Sequence, residues 1–75
     1  MNNCVIVRDY RATDQEFWTG SRWSYDYPQA LLVSAKTGVW LLRRQGEHEI
    51  PRDGCSVHVV HNYGFDDEAV VFEIV

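Results

Sequence analysis

The sequence carries no catalytic motif, no constellation of metal ligands and no glycine-rich phosphate loop. No catalytic residue, metal or cofactor is therefore expected, and function is looked for on a surface. Cysteine is scarce: Cys4 and Cys55 stand alone, without CxxC spacing. Two thiols are too few for a disulfide scaffold. Buried thiols in a reducing cytosol are expected, with one Cys4–Cys55 disulfide as the alternative. Long apolar runs are missing too. Cys4-Val5-Ile6-Val7 stops at Arg8, and no basic stretch leads into a longer run, which argues against a signal peptide and a membrane span. Positive charge is also short, with seven Lys and Arg against eleven Asp and Glu and a net charge of −4. That balance argues against direct nucleic-acid binding by phosphate neutralisation. It fits simple solubility or a basic partner. There is no internal repeat, low-complexity segment or linker.

What is present is the composition of a folded protein: 45% hydrophobic, 13% aromatic and 24% charged. Seventy-five residues allow one domain, 1–75. A domain of this size buries only about 60% of its unfolded surface, so every core contact matters. Ten aromatic residues are many for such a core, and some are expected on the surface, where they serve an interface.

Five of those ten fall between Phe17 and Pro28, around Gly20-Ser21. Glycine at the first central position suits a type II′ turn, which matches strand twist. Thr19 then opposes Arg22, and Trp18 opposes Trp23 across a tight hairpin. Upstream, Cys4 to Tyr10 begins with β-branched residues and reads as a strand, and Arg11 to Gln15 as a loop. Downstream, Asp26 is placed to cap one short helical turn, Tyr27 to Ala30, with Pro28 tolerated in that turn.

Residues 34–45 admit two readings. As a helix, Ser34 is the N-cap and Gly46 lies just past the end. Ala35, Gly38, Val39 and Leu42 then share one face at i, i+3, i+4, i+7 spacing, while Lys36, Thr37, Arg43 and Arg44 point outward. As a hairpin, Ala35-Lys36-Thr37-Gly38 is a turn between strands, a reading helped by the indifferent helix formers Thr37, Gly38 and Val39. Beyond it, Glu47 to Gly54 reads as a loop, Ser56 to His61 as a strand, Asn62 to Glu68 as an acidic connection, and Ala69 to Val75 as a final strand.

The helix reading is favoured by a resemblance. The pattern Trp18-Thr19-Gly20-x-x-Trp23-Ser24-x-Asp26-x-x-x-Ala30-x-x-Val33-Ser34 resembles a motif of small bacterial and phage proteins, in which the hairpin leads into a serine-capped helix and a further strand. It spans roughly the first half of the chain. It implies an α+β domain and transfers no catalytic residue. Gly38 departs from it, standing where such proteins usually carry alanine. The expected fold is thus α+β, in the order β-β-β-α-β-β, with one helix on a face of a small antiparallel sheet. The alternative is an all-β meander or small barrel.

Two stretches stand out as candidate surfaces. Trp40 lies one helical turn from Arg43 and Arg44, and Trp and Arg are enriched at interface hot spots. The bland counterpart is a capped helix end with Trp40 lying on the sheet. Tyr63, Phe65, Asp66, Asp67 and Glu68 form the second candidate, an aromatic and acidic connection able to engage an arginine patch. A solvated loop end, whose charge discourages aggregation, explains it as well. His58 and His61 are three apart on a strand and point to opposite faces, so they do not chelate one ion.

Size, acidity and aromatic richness also resemble small phage-encoded inhibitors of host defence, anti-CRISPR proteins among them. The expected function is a non-enzymatic, cytoplasmic protein-binding protein of that type, occluding a surface of a host nucleoprotein complex. Two alternatives are a module that homodimerises through its last strand and a single-stranded nucleic-acid binder using Arg22, Lys36, Arg43, Arg44 and aromatic stacking.

Overall fold

The computed structural model describes residues 2–9, 14–43, 54–61 and 64–73, with the side chains of 61 and 64–69 outside the description. Cys4–Arg8 forms β1, Glu16–Trp18 β2 and Trp23–Ser24 β3. A single 3₁₀ turn, Tyr27–Gln29, precedes helix α1, Ala35–Arg43, and two further strands follow, β4 Cys55–His61 and β5 Gly64–Glu73. The strands make one antiparallel sheet in the order β3-β2-β1-β4-β5. This is the expected α+β arrangement, with one helix against the sheet.

Strand β1 is the centre of the sheet, and its sequence says why. A continuous apolar run suits a strand covered on both faces, and Cys4, Val5, Ile6 and Val7 are all buried. Ile6 pairs with Val57 and Cys4 with Val59. On this face α1 closes the core, with Leu42, Val33, Cys55, Val57 and Trp18 packed together. Val5 and Val7 face the other way. Val7 pairs with both Phe17 and Ser56, and Val5 with His58. Tyr27 and Ala30 cover that second cluster, the Tyr27 ring meeting Phe17 edge-on at 5.2 Å.

The helix begins where its cap predicts. Ser34 Oγ accepts the Thr37 amide at 3.1 Å and donates to Thr37 Oγ1 at 2.9 Å, satisfying one of the open donors of the first turn. Gly38 lets α1 settle on the sheet. A Cβ there would stand 2.9 Å from Val57 Cγ1 and 3.4 Å from Val33 Cγ2. The glycine that departs from the resembled pattern is therefore a packing residue and not a helix breaker.

The hairpin forms in the expected register. Trp18 pairs with Trp23, the rings meeting edge-on at 5.3 Å. The Thr19 amide donates to the Arg22 carbonyl at 3.0 Å. The Thr19 hydroxyl accepts the Arg22 amide at 3.2 Å and donates to the Arg22 carbonyl at 2.9 Å. Gly20 has φ +105°, a conformation that suits glycine at the first turn position.

Two expectations change, at Asp26 and at the acidic run, while the expected buried free thiols are found. Asp26 occupies the N-cap position of the 3₁₀ turn but makes no side-chain cap bond; its own amide instead donates to Ser24 Oγ at 3.0 Å. Asp66, Asp67 and Glu68, read as a connection, lie within β5, which starts at Gly64. The acidic charge hid the strand, because strand formation there depends on pairing to β4 and not on propensity. The two cysteines sit on adjacent strands, but Cys4 opposes Val59 and Cys55 opposes Arg8. Four residues of register put roughly 13 Å between them, beyond disulfide reach, and no disulfide joins them. Burial pushes the Cys4 thiol above its ordinary value of 9.0.

Residues 1, 10–13, 44–53, 62, 63, 74 and 75 lie outside the described residues, and with them Tyr10 of the expected first strand and most of the expected 47–54 loop.

Candidate functional site

The outer face of α1 is the strongest candidate surface. The 100° step of the helix sends Gly38 and Leu42 into the core, leaving Lys36, Thr37, Trp40 and Arg43 exposed. Trp40 keeps 46% of its surface exposed. It borders a groove of about 420 Å³ lined by Ala35, Lys36, Val39, Trp40 and Arg43. Among the described residues the lining is three apolar side chains and two cations. Arg43 is held in place at the end of the groove, its guanidinium 5.4 Å from the Phe72 ring of β5.

The sequence around this helix runs against the charge of the chain. Between residues 27 and 46 there are three cations, Lys36, Arg43 and Arg44, and no Asp or Glu. All eleven carboxylates and the other four cations lie elsewhere. The chain is thus strongly acidic outside a short basic segment, and that segment contains the helix with the exposed tryptophan.

Of the residues singled out from sequence, Trp40 and Arg43 come together here. Arg44 and Tyr63 lie outside the described residues. Phe65, Asp66, Asp67 and Glu68 belong to β5, at the edge of the sheet. From Phe65 to Val70 the strand takes five steps while β4 takes two, from Val60 to His58. The acidic run therefore falls in an irregular, bulged part of β5. Arg43 meets β5 at Phe72, on the far side of that irregularity. The two candidate stretches do not form one described patch.

Sequence reasoning missed two features. Ser56 Oγ lies 2.7 Å from His58 Nε2, and both residues are fully buried on the face of β4 opposite α1. Their i, i+2 spacing on a strand was the available signal. A hydroxyl beside an imidazole resembles a nucleophile–base pair. With no exposed surface, this pair is part of the core's polar bonding. The second feature is on the hairpin. Arg8 lies 4.7 Å over the Trp23 ring and also pairs with Glu16, donating from Nε at 3.0 Å and from Nη2. Trp23 Nε1 is buried with no hydrogen-bond partner among the described residues. The two hairpin tryptophans are thus taken up by their own neighbours, whereas Tyr25, just past β3, is 66% exposed.

Among the described residues, no three of His, Cys, Asp and Glu are grouped so as to hold a metal ion, and no helix is long and apolar enough to cross a membrane. No family model matches the chain, and comparison with curated proteins and with solved structures finds no match either.

Proposed function

We propose that this chain is a non-enzymatic protein-binding protein, encoded by a phage or mobile element, that inhibits a host defence complex by covering part of its surface. The observation that carries the reading is Trp40, 46% exposed beside an apolar groove with Arg43 anchored at its end. A large aromatic held at a surface costs a small domain solubility, and Trp and Arg are both enriched among the residues that carry interface energy. The chain's small size, its acidity and the likeness of Trp18–Ser34 to small bacterial and phage proteins support the anti-CRISPR-like form of the reading. The setting is cytoplasmic, where CRISPR effector complexes act. The test is direct. The purified chain, added to purified CRISPR effector complexes of several types, is expected to lower target-DNA binding by at least one of them; no effect on any type, at concentrations well above that of the complex, overturns the proposal.

A second reading has its own observation. Strand β5 ends the sheet, and Val70 and Val71 on it are 36% and 42% exposed. An edge strand of this kind recruits a second copy by strand addition. Sedimentation equilibrium then gives a dimer that Val71→Lys dissociates. A monomer at high concentration removes this reading.

A further inference from the structure

The groove on α1 also indicates the chemistry of its partner. We infer that it takes an acidic polypeptide segment carrying an apolar anchor residue, the anchor seated between Val39 and Trp40 and the carboxylates facing Lys36 and Arg43. This rests on the protein-binding reading above and narrows it.

Three observations carry the inference. The first is complementarity of type. Ala35, Val39 and Trp40 make an apolar floor and wall, and a cation stands toward each end, Lys36 in the first turn of α1 and Arg43 at its last residue. From Lys36 to Arg43 is seven residues along the helix, about 10 Å at 1.5 Å per residue. An extended segment covers that distance in about three residues, so one anchor flanked by carboxylates matches the spacing. The second is charge segregation. Residues 27–46 hold three cations and no carboxylate, so the sequence around Lys36 and Arg43 is basic in a chain that is acidic elsewhere. The third concerns Arg43. Its guanidinium is already stacked on Phe72, which fixes its position before a ligand arrives and reduces the ordering cost of an Arg–carboxylate pair.

A single-stranded nucleic acid is also anionic, but it fits less well. It needs several stacking rings and a basic track for successive phosphates. Among the described residues this groove has one exposed ring, and the chain outside residues 27–46 carries eleven carboxylates against four cations, which repels a polyanion running past the groove. A short acidic segment ends before it meets that field.

The probe is a short fluorescein-labelled peptide in which Asp and Glu flank one Leu-Phe pair, read by anisotropy against the full chain. Binding is expected, weakening with salt between about 0.05 and 0.5 M as paired surface charges are screened. Trp40→Ala is expected to weaken it about thirtyfold and Lys36→Glu about tenfold, with Lys36→Arg close to wild type. Circular dichroism confirms that each variant is folded; Lys36 is exposed, so its variants keep the test alive if Trp40→Ala does not fold. The inference is overturned if the same peptide with lysine in place of its carboxylates binds as well, if an oligo-dT strand binds more tightly, or if the acidic peptide does not bind. The first outcome, with Trp40 still required, leaves the protein-binding reading standing. Loss of inhibition of the defence complexes with peptide binding intact removes the inhibitor reading and not the chemistry of the groove.

Discussion

Replacing Leu42 with alanine is expected to destabilise the protein by about 2–5 kcal/mol. Leu42 is the residue through which α1 reaches the centre of the sheet. It is fully buried, in one cluster with Cys4, Ile6, Val33, Cys55 and Val57. Truncation removes its transfer free energy and leaves a cavity between helix and strands that a small core cannot fill by collapsing. A domain of this length has roughly 4–11 kcal/mol in total, so the loss takes a large share of it. Urea titration followed by circular dichroism measures it. Leu32→Ala is the control. Leu32 lies ten residues upstream, before α1, and is half exposed, and its loss is expected to stay within about 0.5 kcal/mol. Equal effects at the two positions would mean that α1 does not close the core as described.

The second large effect goes against helix propensity. Alanine is the better helix former by about 1 kcal/mol, so Gly38→Ala in an exposed helix would stabilise. Here it is expected to destabilise by about 1–2 kcal/mol net. The added Cβ meets Val57 Cγ1 at 2.9 Å and Cγ2 at 3.2 Å. Val57 is fully buried and β-branched, with little rotamer freedom to yield, so α1 itself has to move, at the ordinary cost of overpacking. The midpoint of thermal unfolding should drop by roughly 5–15 °C, since about 1 kcal/mol moves a domain of this size 4–8 °C. The double variant Gly38→Ala with Val57→Ala should cost less than the two single costs added together, because the clash is then gone. A rise in the midpoint for Gly38→Ala would show that α1 stands further off β4.

These two positions also show what can be read from the sequence. Periodicity placed Gly38 and Leu42 on one helix face, and both are buried; Ser34 declared the helix start and caps it. The hairpin register followed from Gly20-Ser21 and the tryptophan pair, because short-range turn chemistry fixes it. Long-range pairing was harder. Acidic residues at 66–68 resemble a loop until β4 is there to pair with β5, and the bulges that accommodate them have no local signature. The same limit applies to the site. Trp40 with Arg43 was visible as a helical pair one turn apart. The groove beside them needs Ala35 and Val39, which periodicity had assigned to the buried face. Both are half-buried and border core and solvent at once. The Ser56–His58 contact was legible in its spacing alone, but its burial depends on strands and loops far away in sequence.

The central claim is that α1 has two roles: an inner face that holds the fold and an outer face that meets a partner. It is tested most directly by comparing wild type, Trp40→Ala and Val71→Lys for the proposed inhibition of CRISPR effector complexes. The first variant changes the helix groove and the second the edge of β5. With both variants folded, loss of inhibition by Trp40→Ala at least tenfold, and none by Val71→Lys, is the predicted result; the reverse pattern would place the working surface on the strand edge and contradict the account.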